Sequence, residues 1–221
     1  MKTPVYDREP RYAKYLSRLV RPFPNFDFFF IKDVREFAVN SLKLQPGAAV
    51  LDLGCGSGGS FPYLVKAVGD TGSVVGIDIS AQSCVNARLR IANNKWRNVQ
   101  VIEAPAETAE PVGSYDGALM FAAPDVFAAK SALTNILPRL NRGARVAVFG
   151  AKVSRHRLGR ILNPVLRLLA SKLSPQSPLP DEAPWQLIAE HLDGIQVREY
   201  ALGSMFLAYG KLREHEQAHG A

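Results

Sequence analysis

The residues able to do chemistry concentrate between Val50 and Gly59, VLDLGCGSGG, where an apolar run carries Asp52 and three glycines alternate at Gly54, Gly56 and Gly58. Alternating glycines straight after an apolar strand let the backbone turn sharply and approach a ligand with no Cβ in the way. The N–H groups that open the following helix then face an anionic group. Asp52 adds a carboxylate aimed at the same ligand. That pairing suits a zwitterion or a cation better than a bare pyrophosphate. Asp78, in VVGIDIS, follows about twenty residues beyond the turn, where a carboxylate accepts from both hydroxyls of a ribose.

These residues need a scaffold, and the sequence alternates strand and helix signals as an α/β sheet requires. Apolar or β-branched runs at Ala48–Leu53, Ser73–Asp78, Val99–Glu103, Tyr115–Phe121 and Ala144–Gly150 predict strands. Helix-like stretches lie between them at Ser60–Val68, Ala81–Asn93 and Val126–Leu140, and Ala104–Ser114 has room for one helical turn at most. Turn-forming clusters mark the strand ends: Pro46-Gly47, Gly69 to Gly72, Asn93-Asn94 and Asn141 to Gly143. Ile195–Ala201 and Ser204–Gly210, joined through Leu202-Gly203, read as a hairpin after a helix at Trp185–Leu192. In a parallel sheet the ligand lies at the carboxyl ends of the strands. That rule selects Asp52 and the glycines, then Asp78, then Glu103 to Ala106, then Phe121 to Pro124.

Gly54, Gly56 and Gly59 also fit GxGxxG, a weak pattern by itself. Two details argue against a nicotinamide dinucleotide. A carboxylate at Asp52 repels a doubly charged pyrophosphate, and a closing antiparallel hairpin differs from the second half of a dinucleotide fold.

Taken together, VLDLGCGSGG, VVGIDIS, VIEAPAE and YDGALMFAAP resemble the class I S-adenosylmethionine-dependent methyltransferases. Within that class the chain looks like the small-molecule group that includes quinone-biosynthesis and phospholipid N-methyltransferases. The likeness covers Pro46–Gly150 strongly and the hairpin moderately. It implies an α/β, Rossmann-like seven-stranded sheet in the order 3-2-1-4-5-7-6, last strand antiparallel, with helices on both faces. It also implies S-adenosylmethionine as cofactor, S-adenosylhomocysteine as product, and no metal. Asp52 would lie at the ammonium end of the methionine moiety, above the turn of Gly54, Cys55, Gly56 and Gly58. Asp78 would hold the ribose and Ile79 would pack on the adenine, with Phe121 at the end of the fourth strand. The family often carries an acidic residue and an alanine after the third strand, where this chain has Pro105. The adenine would then be read by the backbone of Ala104 and Ala106, or by Glu103 or Glu107. FAAP contains no NPPY or DPPY, which disfavours amino-methylation of DNA bases or protein glutamine.

The 221 residues fit a single domain. Its expected parts are a helical cap (1–45), the cofactor-binding core (46–150), an amphipathic basic lid inserted before the last helix (151–182), and the final helix and hairpin (183–212). Helices are expected at Tyr12–Val20 and from Asp27 to Leu44, with the aromatic stretch PFPNFDFFF serving as core or as an apolar substrate mouth. The net charge of +7 is regional: Val126 to Pro180 holds ten Lys and Arg and no Asp or Glu. An anionic partner fits there. The Ser154–Leu173 stretch sets leucines against arginines at helical spacing, with a kink expected at Pro164. It reads either as a lid packed on the sheet or as a peripheral contact with an anionic membrane. Either suits a small hydrophobic, lipid-like or quinone-like acceptor. RNA methylation competes through the same charges, but the basic region lacks interleaved aromatics, so nucleic acid is disfavoured. A cofactor-binding protein without turnover is the third reading.

Tyr6, Tyr12, Tyr15 and His156 are the available general bases, and none is assigned, so the catalytic residue stays open, as do the acceptor atom and the oligomeric state. Cys55 and Cys84 lack metal spacing and read as small buried thiols in a reducing compartment. No signal peptide and no long apolar run is present, so the expected location is the cytoplasm, with membrane-peripheral contact left open.

Overall fold

The computed structural model describes residues 29–156, 159–164 and 183–213. Seven strands form one sheet: β1 Ala49–Leu53, β2 Ser73–Asp78, β3 Val99–Glu103, β4 Tyr115–Phe121, β5 Leu140–Ala151, β6 Leu192–Tyr200 and β7 Met205–Leu212. Their order is β3-β2-β1-β4-β5-β7-β6. The first five are parallel, and β7 runs antiparallel to both β5 and β6. β1, β2 and β4 are almost continuously buried, as strands covered on both faces must be. β3 and β6 lie at the edges and are largely exposed or half-buried.

Two apolar layers fill the faces. Helices α1 Phe29–Ser41, α2 Phe61–Val68 and α3 Ala81–Asn94 cover one, through Ile31, Val34, Ala38, Phe61, Leu64 and Ala87. The other is covered by α4 Pro124–Phe127, α5 Lys130–Ile136 and α6 Gln186–Ala189, through Phe127, Leu133, Ile136 and Ile188. α1 meets the glycine turn through Arg35. Its far end is tied down by Arg145, whose Nε donates to the Ser41 carbonyl at 2.9 Å.

The first four strands stand within one residue of their expected bounds, and α2 and α3 do likewise. Three expectations needed correction. The single helix expected over Val126–Leu140 is broken at Ala129, whose backbone is extended (φ −102°, ψ 114°). It ends in a 3-10 turn at Leu137–Arg139, where Pro138 has no N–H to continue an α-helix. β5 therefore starts at Leu140 rather than Ala144. The expected turn at Asn141 to Gly143 is a bulge inside it, between the pairs Tyr115–Leu140 and Gly117–Arg145. Finally, the last helix shrinks from Trp185–Leu192 to Gln186–Ala189, because Leu192 already pairs with Leu212 in the sheet.

The Tyr12–Val20 helix, most of the aromatic stretch, and the bulk of the proposed lid lie outside the described residues. Of the Ser154–Leu173 stretch, the described part holds a 3-10 turn at Gly159–Leu162 followed by α-helical residues Asn163 and Pro164. Among the described residues no helix is long and apolar enough to cross a membrane.

Candidate functional site

The glycine turn leaves β1 at Leu53 and enters α2 at Phe61. Gly54, Gly56 and Gly58 all have positive φ, at 67°, 54° and 76°. Gly54 must also lack a side chain, because a Cβ there would sit 2.5 Å from the Cβ of Ala123, just past β4. The turn is fastened to β2. The Gly54 and Cys55 N–H groups both donate to the Ile77 carbonyl, at 2.8 and 3.1 Å. The Gly56 N–H donates to Asp78 Oδ2 at 2.7 Å, and Ser80 N–H to Asp78 Oδ1 at 2.9 Å. Asp78 therefore locks the turn while half its lone pairs remain for a ligand.

Gly54→Ala combines a left-handed backbone with a clash, costing about 2–4 kcal/mol together. Thermal unfolding should fall by roughly 5–15 °C in a chain of this size. An unchanged midpoint would contradict the close approach of the turn to Ala123.

Asp52 is the unusual group. It is 1% exposed, and neither carboxylate oxygen has a hydrogen-bond partner among the described residues. Burial pushes its carboxyl up to about 7, opposed by the charge of Arg35 and reinforced by that of Asp78. A buried carboxyl without donors is costly in a finished core.

Arg35, on α1, is the residue that the sequence reading missed. Its Nη1 donates to Ser60 Oγ at 2.8 Å, and its guanidinium lies 4.0 Å over the Phe121 ring. Phe121 is stacked in turn on Phe149 at 4.3 Å. Phe121 is thus a buried support under Arg35, 6% exposed. Gly59 leaves room for the same guanidinium, since a Cβ would lie 3.2 Å from Nη1. Local sequence gives no sign of this, because an arginine in an amphipathic helix ordinarily faces water.

The other expected residues fall around the same end of the sheet. Ile79 follows β2 with 63% of its surface exposed, an apolar platform at a ligand edge. Ala104 donates its N–H to the Asp78 carbonyl at 3.1 Å, and Pro105 opens a single turn through Thr108 and Ala109. The Ala106 carbonyl is taken by Asn135 Nδ2 at 2.9 Å. Glu103 is paired with Arg88 at 3.6 Å, and both side chains are nearly half exposed. Cys55 and Cys84 are buried free thiols, and burial pushes both up. His156 is exposed, while Tyr6, Tyr12 and Tyr15 lie outside the described residues.

Residues 50–143 match the family described as "Methyltransferase domain". The demethylmenaquinone methyltransferase of Shouchella clausii is 32% identical over 75 residues, 34% of this chain and 32% of that protein. The 23S rRNA (uracil(1939)-C(5))-methyltransferase of Acinetobacter baylyi is 43% identical over 65 residues, 29% of this chain and 14% of that protein. The chain spans less than a third of the length of the curated relatives it matches. Among solved structures, a SAM-dependent methyltransferase from Aquifex aeolicus superposes with a TM-score of 0.58 at 21% identity, over 86% of this chain and 100% of that one. Residues 50–143 thus match a methyltransferase domain, and the seven-stranded sheet that carries them has the fold of the Aquifex aeolicus SAM-dependent methyltransferase.

Proposed function

We propose that this chain transfers a methyl group from S-adenosylmethionine to a small apolar acceptor of quinone-like or lipid-like character. The observation that carries the reading is Asp52: a buried carboxylate with both oxygens unpartnered among the described residues, set against a glycine turn that is tied to β2. An ammonium group satisfies it. Arg35, held in place by Ser60 and the Phe121 ring, supplies the opposite charge for a carboxylate on the same ligand. The pair fits an amino-acid zwitterion.

The cofactor fits the remaining residues in the same order. Gly54, Cys55, Gly56 and Gly58 back the methionine moiety, and a Cβ position on Gly56 meets nothing within 4 Å, leaving the approach open. Asp78 accepts from the ribose hydroxyls while keeping its two backbone donors. Ile79 covers one face of the adenine, and Ala104, Pro105 and Ala106 border its edge. When bound, the cofactor supplies an electrophilic sulfonium methyl. The protein's part is alignment and a dry pocket. α1 closes over the turn through Arg35, and the half-buried Trp185 offers an apolar surface beyond the end of β5.

Relatives named for a quinone and for ribosomal RNA both match over short stretches, so these matches bear on the donor rather than the acceptor. A small-molecule acceptor is supported by this apolar surface and by the scarcity of aromatics in the basic region. The test is incubation with methyl-labelled cofactor and separated lipid, small-molecule and RNA extracts. Label should enter the small-molecule or lipid extract. Label in RNA alone, or bound cofactor with no label transferred, overturns the reading in favour of an RNA enzyme or a binding protein.

A further inference from the structure

Lys152 stands just past the end of β5 and is 7% exposed, although it carries a full charge. Its Nζ lies 2.6 Å from Glu199 Oε1. Its backbone N–H donates to the Ser204 carbonyl at 2.9 Å, fixing the stem. The Trp185 ring centre is 5.8 Å from Nζ, and Trp185 in turn packs on Phe206 at 4.7 Å.

The two partners of this ion pair are unequal. The ammonium is buried and held. The carboxylate belongs to the edge strand β6 and its side chain is 52% exposed. Gly203 leaves space beside it, since a Cβ there would lie 3.1 Å from Glu199 Oε2. A buried ammonium requires an anion, but nothing requires that anion to be Glu199. A ligand oxyanion reaching Nζ can replace it while Glu199 turns into water at little loss.

The position gives the pair a purpose. It lies at the carboxyl end of β5, the neighbour of β4, and β4 ends against the glycine turn at Ala123. Val126 to Pro180 contains no carboxylate that would repel an incoming anion. We propose that Lys152 is the acceptor anchor: it binds an organic oxyanion, a carboxylate or an ionised hydroxyl, whose apolar body lies along Trp185. This rests on the methyl-transfer reading above and narrows its acceptor to an acidic one.

The test is calorimetric, on the full chain loaded with S-adenosylhomocysteine, using 4-butylbenzoate, ionised 4-nitrophenol and the neutral 4-butylbenzamide as probes. The benzoate should bind at least ~10-fold more tightly than the benzamide, as for one charge-assisted contact. Whether 4-nitrophenolate shares that preference separates an ionised hydroxyl from a carboxylate as the natural oxyanion, and both fit the anchor. Lys152→Met should abolish the preference while S-adenosylhomocysteine affinity stays within about twofold, because the anchor and the glycine turn are separate. Glu199→Gln removes the competing carboxylate and should tighten the benzoate severalfold, a gain that a purely structural ion pair would not give. Benzoate and 4-nitrophenolate both binding no better than benzamide, or neither binding at all, overturns the anchor, as does a preference that survives Lys152→Met. If Lys152→Met does not fold, Glu199→Gln decides, and unchanged or weaker benzoate binding overturns it. Failure of the wild-type chain to bind S-adenosylhomocysteine would instead overturn the methyl-donor reading.

Discussion

Asp52→Asn should make the ligand-free protein more stable at pH 8 while destroying its affinity for the cofactor. In the folded chain the Asp52 carboxyl holds its proton up to about pH 7, whereas in the unfolded chain it ionises near 3.8. Between those values the folded state binds one proton more than the unfolded state, so stability falls as pH rises. Below about 3.8 the contribution is fully present, and above about 7 it is lost. The whole span amounts to roughly 4 kcal/mol, an upper figure for one buried group. Asparagine never ionises, so the variant lacks this slope, although its buried amide keeps a cost of about 1–3 kcal/mol. The wild type and the variant should therefore unfold at similar temperatures near pH 5. They should separate by several degrees at pH 8, with the variant higher, in thermal scans of the ligand-free chain.

Binding runs the other way. The ionised carboxylate is what an ammonium needs, so wild-type affinity for S-adenosylhomocysteine should drop up to ~10-fold per unit as pH falls below about 7. The variant should bind at least ~100-fold more weakly at pH 8, the scale of one buried charged contact. A variant that binds as well as the wild type would remove Asp52 from the site. A variant destabilised at pH 8 would mean that Arg35 already compensates the buried charge.

Asp78→Ala should lower cofactor affinity ~100-fold or more in the same calorimetric measurement, since two charged hydrogen bonds to a ribose are lost, each about 1.5–3 kcal/mol. The loss has a second source. Gly56 N–H and Ser80 N–H give up their acceptor, so the turn loses its tie to β2. Asp78→Asn, which keeps one oxygen, should fall between the two. Asp78 also raises the Asp52 carboxyl, so its removal should move the pH-dependent part of the stability curve to lower pH. Full affinity in Asp78→Ala would sink the ribose assignment. An unmoved pH profile would show that the two carboxylates do not sense each other.

The sheet and its ligand end were legible because their signals are local. Val50 to Gly59 declares a strand, a turn built on alternating glycines, and a helix start within ten residues. Asp78 follows at a spacing that one βαβ unit imposes. The errors fell where context overrides periodicity. Leu140 and Leu192 look like helix ends, yet both pair with neighbouring strands, through Tyr115 and Leu212. Which of two partners an apolar residue takes is decided by the sheet already beside it.

Side-chain roles divide in the same way. The sequence by itself determined the parallel core, the glycine turn and the placing of Asp52 and Asp78 at strand ends, because strand direction and turn chemistry are properties of consecutive residues. Only the tertiary structure decided that Asp52 is buried without a donor among the described residues and that the charge of Arg35, on α1, acts on it. It alone brought Lys152 and Glu199 together from strands 47 residues apart in sequence. Burial and charge pairing are set by whatever elements meet in space, and no local pattern records that meeting.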